Sequence, residues 1–127
     1  MMSVLPVQAQ TVHVSAADNA KAYRMDAARH IYASYADKIY KGKLPPLVHA
    51  VVVLELDVAD DGRVREIQMI RVPTHAPEVV VSVRKMIQQA GNLPVPARLR
   101  GGVRFIEIWL VDKSGRFQLD ALTEGQL

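Results

Sequence analysis

Residues 47–72 encode a β-hairpin, and that feature limits what the chain can fold into more than any other. Ala50, Val52, Leu54, Leu56 and Val58 recur with period two, so they share one face of a strand read over residues 47–59. His49, Val51, Val53, Glu55 and Asp57 share the other, mixed face. Asp60-Asp61-Gly62-Arg63 then supplies a tight turn, because Asp-Gly tolerates the positive φ that hairpins need. Residues 63–72 form the return strand. Its apolar positions, Val64, Ile67, Met69, Ile70 and Val72, break strict alternation, which predicts a bulge or a strong twist.

A half-apolar sheet needs a cover, and two segments supply it. Residues 18–41 read as a helix capped by Asp18 or Asn19, with Tyr23, Ala27, Ile31, Tyr35 and Ile39 in one stripe. Gly42 and Pro45-Pro46 end it. Residues 77–90 read as a second helix with Val79, Val80, Val83, Met86, Ile87 and Ala90 inward, although the β-branched run 79–81 also suits a strand. Residues 93–102 make an irregular loop. Residues 103–112 are a further strand, and Phe117 to Leu119 either add a short fourth strand or pack back. The order α-β-β-α-β predicts an α+β fold, a small three-stranded antiparallel sheet with both helices on one face. The other face is expected to carry Val51, Val53, Phe105 and Trp109, as a surface for contact or for the tail to cover. One domain over residues 18–119 is expected, with 120–127 frayed.

Composition narrows the function more than it names it. The chain has 127 residues, half of them apolar, which suits one globular domain. Without cysteine it has no disulfides, thiol catalysis or Cys-ligated metal. A net charge of +3 is too mild to argue for nucleic acid, although Arg98, Arg100 and Arg104 form a local basic excess suited to an acidic partner or to plain solvation. No apolar run approaches the roughly 20 residues of a membrane span. Val7-Gln8-Ala9 matches a small-x-small export cleavage site, behind an apolar stretch too short and without a basic lead. Residues 1–17 are therefore expected outside the fold, as a signal-peptide remnant over 1–9 with Gln10 next, or as a plain disordered N-terminus.

No motif for catalysis is present. His13, His30, His49 and His75 lack metal-site spacing, no serine sits in a G-x-S-x-G elbow, and Asp57, Asp60 and Asp61 lack the order of a calcium loop. Gly101-Gly102 has no phosphate-loop frame. Tyr32, Tyr35 and Tyr40 suit helix packing better than base stacking. Trp109 reads either as a core residue or as a binding anchor. The chain is expected to be no enzyme and to need no metal or cofactor.

The run from Leu54 to Ile67, with Asp61-Gly62-Arg63-Val64 at its turn, resembles the first hairpin of TonB/TolA C-terminal domains. Tyr35-Ala36-Asp37-Lys38-Ile39 looks like the lead-in helix of the TolA type, and the second helix, Leu93-Pro94-Val95-Pro96, Gly102 and the last strand follow in the family's order, so the likeness spans about residues 30–119. It implies a periplasmic, non-catalytic domain that binds an envelope partner, an outer-membrane receptor N-terminal segment or a Tol-system protein, by adding the partner's extended segment to a sheet edge. Carried onto this chain, the edge expected is the last strand, with Val103, Phe105, Glu107, Trp109 and Val111, beside the basic loop of Arg98, Arg100 and Arg104. The membrane helix and long spacer of full transducers are not present in these residues. A structural or assembly protein that self-associates through Trp109, as a homodimer, is the alternative.

Overall fold

The computed structural model describes residues 13–127. In chain order the elements are strand β1 (Val14–Ser15), helix α1 (Ala20–Ser34), a 3-10 turn (Ala36–Lys38), strands β2 (Ala50–Val58) and β3 (Val64–Arg71), helix α2 (Pro77–Gln89), strands β4 (Val95–Pro96), β5 (Val103–Val111) and β6 (Phe117–Leu119), and a second 3-10 turn (Asp120–Leu122).

Asn19 starts α1, with its Oδ1 accepting the Ala22 N–H at 2.8 Å. This satisfies one of the orphan donors of the first turn. Tyr23, Ala27 and Ile31 are buried, and Tyr35 and Ile39 pack at the margin. The helix is shorter than the expected 18–41. Tyr35 leaves helical geometry at φ −130° and ψ 41°, and its hydroxyl donates to the Met86 carbonyl at 2.6 Å. The 3-10 turn over Ala36–Lys38 follows, and extended backbone from Ile39 brings that residue beside Phe117. Pro at the first position of α2 suits a site where an N–H would have no partner, and Val83, Met86 and Ile87 face inward.

The fold is α+β: a four-stranded antiparallel sheet in the order β3-β2-β5-β6, plus a small parallel pair of β1 with β4. Phe117–Leu119 is the fourth strand. The expected irregularity lies in β2–β3 pairing, with register shifts at Val53/Leu54 and Asp57/Val58. Both helices cover one sheet face, on which Tyr23, Ala27, Ile31, Val83 and Ile87 meet Val52, Leu54 and Leu56.

Three expectations are corrected. Phe105 and Trp109 do not share a face with Val51 and Val53. The register sets Trp109 opposite Val52 and Phe105 opposite Leu56, so both aromatics lie on the helix side. Trp109 is fully buried and stacks on Phe117 with ring centroids 4.5 Å apart. The open face carries Val51, Val53, Glu55, Ile106, Ile108 and Leu110 instead, as the alternation requires. Second, residues 13–17 belong to the fold, because Val14–Ser15 pairs with Val95–Pro96 and Ser15 and Ala17 are buried. Third, residues 120–127 do not fray. Gln126 bridges to Leu44, and the Leu127 N–H donates to the Leu44 carbonyl at 2.8 Å. The signal-remnant reading of residues 1–9 lies outside the described residues.

Candidate functional site

Successive residues of an antiparallel ladder turn their N–H and C=O groups to alternate sides. On β5 the Ile108 N–H points away from β2, because Glu107 Oε1 accepts it at 3.0 Å. Arg104, Ile106 and Leu110 share that parity. Leu110 is taken by Gln118 of β6, since β6 pairs with β5 only over Trp109–Val111. Among the described residues, Arg104 and Ile106 have no strand partner on the outer side of β5.

Glu107 does more than accept that one bond. It is 2% exposed, and its Oε1 also takes the Arg24 guanidinium at 2.7 and 3.2 Å and the Ala121 N–H at 3.3 Å. Arg24 bonds Asp120 as well, at 3.0 Å. The hydrogen bond to Glu107, set against partial burial, holds the Arg24 pKa above its ordinary value. One carboxylate thus ties α1, the edge of β5 and the turn after β6 together.

The outer side of β6 is sealed as well. The Tyr32 hydroxyl accepts the Leu119 N–H at 3.0 Å, and burial raises the pKa of that phenol. Tyr40 donates its N–H to the Phe117 carbonyl at 2.9 Å. The Gln118 amide reaches the carbonyls of Tyr40 at 2.8 Å and Gly42 at 2.6 Å, strapping that segment across the sheet.

The opposite side of the sheet differs. β3 pairs only with β2, and among the described residues no strand lies along its outer side over Val64–Arg71. Arg84 of α2 reaches that side, its Nη1 donating to the Ile67 carbonyl at a long 3.5 Å. Ile67 and Met69, by the same parity, turn their backbone groups outward. Between this edge and the second half of α2 lies a groove of about 470 Å³, lined by Arg63, Glu66, Ile67, Arg84, Ile87 and Gln88 among others. Arg65, also on its rim, is committed to Asp57 at 2.7 Å. Neither Arg63 nor Arg84 pairs with a carboxylate among the described residues.

The residues expected to form the site are dispersed by this geometry. Val103, Phe105, Glu107, Trp109 and Val111 are all buried on the helix side, so their side chains serve the core. Arg104 is spent on the open face, at 3.6 Å from Glu55 and 3.4 Å from Asp57. Arg98 and Arg100 are exposed in the loop before β5. The groups missed by sequence reasoning are Arg84 and the β3 edge. Arg63, Arg65, Glu66 and Arg71 on a strand beside an apolar one were the available signal, since charge on an edge is how an unpaired strand is kept soluble.

The histidines form two edge-to-face pairs, His13 with His30 and His49 with His75, each with centroids 5.5 Å apart. Burial, then the neighbouring His13, lowers the His30 pKa. Among the described residues no three His, Asp or Glu side chains converge as a metal site would need. No helix of the described residues is long and apolar enough to cross a membrane. Comparison with protein-family models, with curated proteins and with solved structures finds no match for this chain.

Proposed function

We propose that this chain is a non-catalytic protein-binding module of the TonB/TolA C-terminal type, working in the bacterial periplasm and taking an extended segment of an envelope partner by strand addition. The observation that carries the reading is the asymmetry of the sheet. One side is closed by Glu107, Tyr32, Gln118 and the Tyr40 backbone except at Arg104 and Ile106, whereas β3 presents Val64–Arg71 without a neighbouring strand on its outer side among the described residues. An eight-residue edge strand with one free side is a template for another chain. The edge proposed here is therefore β3 rather than β5. The partner class is that implied by the resemblance, an outer-membrane receptor N-terminal segment or a Tol-system protein.

An amide NMR titration with extended peptides of those two kinds tests it. Shifts concentrated on Val64–Arg71 support addition to β3. Shifts on Val103–Ile108 instead return the site to the last strand. Spectra left unchanged by every peptide at millimolar concentration overturn the module reading.

A further inference from the structure

We infer that the segment taken up by β3 is acidic, and that Arg84 is the residue that selects it. The inference rests on the strand-addition reading and specifies the partner's chemistry. A strand laid along Val64–Arg71 has alternate side chains on the helix side of the sheet. Those side chains enter the groove between β3 and α2, whose lining includes Ile67, Ile87, Arg63, Arg84 and Gln88. Glu66 is the only acidic side chain among the residues lining it, and it opposes three arginines. Arg65 is paired with Asp57, which it shares with Arg104, but Arg63 and Arg84 have no such partner among the described residues.

Arg84 is placed to exchange partners. At present its guanidinium takes, at 3.5 Å, the carbonyl of Ile67 that an added strand's N–H would claim at a normal 2.9 Å or so. Strand addition displaces that weak contact and frees the guanidinium beside the incoming chain. A carboxylate on the partner's groove-facing side chain would meet it in a charge-assisted bond. A neutral partner would leave Arg84 to water or to an uncharged acceptor, with no charge to assist the bond. A basic partner would meet Arg63 and Arg84 as like charges. Each alternative weakens binding relative to the acidic one, so the groove discriminates by repulsion as well as attraction.

Three octapeptides matched in all but charge test this, with valine alternating with glutamate, glutamine or lysine, titrated into the whole chain and followed by amide NMR and by anisotropy of a labelled copy. The glutamate peptide is expected to bind tightest, with shifts on Val64–Arg71. Arg84→Gln is expected to weaken it about fivefold, as for a partly exposed charge pair, while leaving the glutamine peptide unaffected. Arg100→Gln is expected to change neither. Equal binding of the glutamate and glutamine peptides, with shifts still on β3, overturns the acidic preference and leaves strand addition standing. Equal losses from Arg84→Gln and Arg100→Gln also overturn it, because attraction then follows overall charge. Shifts on β3 that appear only on dilution, or only once residues 1–12 are removed, show a second copy or the chain's own N-terminus in the groove and overturn the inference. No shift on β3 with any peptide removes strand addition itself.

Discussion

Replacing Glu107 with alanine is expected to destabilise the protein by about 3 kcal/mol, and the size follows from what its Oε1 holds. Breaking a buried ion pair by removing one partner typically costs about 3–5 kcal/mol. Here the figure belongs below that range, at about 2 kcal/mol, because Arg24 is 27% exposed and keeps Asp120. The N–H groups of Ile108 and Ala121 also lose their acceptor. At about 0.5 kcal/mol each, since water can reach that edge once the side chain is gone, they supply the remainder. Glu107→Gln keeps a carbonyl oxygen for the two N–H groups and loses only the charge, so about 1–2 kcal/mol is expected. Urea unfolding followed by far-UV circular dichroism measures both. With an m-value of about 1.5 kcal/mol/M, the alanine variant's midpoint should fall by about 2 M. The same variant uncovers the Ile108 N–H and so lengthens the open stretch of β5, which size-exclusion chromatography should register as concentration-dependent association. An alanine variant within about 0.5 kcal/mol of the parent would refute the reasoning. So would a glutamine variant as damaged as the alanine one, for then the acceptor oxygen closes nothing.

The remaining predictions concern the scaffold. Gly102 lies at φ +95° with its α-carbon against the Val58 carbonyl, where a Cβ would overlap that oxygen, so Gly102→Ala should cost about 3 kcal/mol in the same unfolding assay. A loss under about 0.5 kcal/mol would mean the loop shifts freely. Asn19→Ala removes the α1 cap and should cost about 1 kcal/mol. For His30 the folded state resists the proton that the unfolded chain accepts. Its contribution is therefore complete above the unfolded pKa of about 6.5 and is lost as pH falls below it toward the lowered folded pKa. His30→Gln should flatten the stability profile between about pH 7 and pH 5, and an unchanged slope would show that another group produces it.

The hairpin, both helices and the last long strand were legible because each carries its period in a run long enough to count. Two-residue strands such as Val14–Ser15 have no period to read, and only the contact with Val95–Pro96 makes them strands. The facing of β5 was misread for a physical reason. Both of its faces are apolar, and the one with a glutamate resembled the solvent side. The fold instead buries the larger side chains, Phe105 and Trp109, and neutralises Glu107 with Arg24 from a helix 83 residues away in sequence. That pairing is non-local, so no window along the chain reveals it. The candidate edge followed the same logic. Which strand stays open depends on where Tyr32, Tyr40 and Gln118 land, and local patterning does not specify this.

The charges on β3 also bear on whether the open edge leads to a homodimer. Two copies joined antiparallel through β3 about a two-fold axis must bring outward-turned residues into register; the longest overlaps centre on Ile67 or on Gln68, and shorter ones centre on Glu66, which sets that carboxylate against its own copy, or on Met69. Centred on Ile67, Arg71 of one copy stands opposite Arg63 of the other. Centred on Gln68, it stands opposite Arg65. Like charges directly across a ladder oppose pairing, and the axis repeats each contact twice. Centred on Met69, the overlap avoids those arginines but runs beyond Arg71 to Pro73, which has no N–H to offer the ladder. An acidic segment meets none of these obstacles, because its carboxylates face the same arginines with opposite sign. The arginines therefore disfavour a second copy on this edge by the same charge that would attract an acidic partner. Reversing Arg71 to glutamate should consequently raise self-association, which sedimentation velocity would detect. A variant that stays as monomeric as the parent at every concentration would show that charge is not what keeps the copies apart.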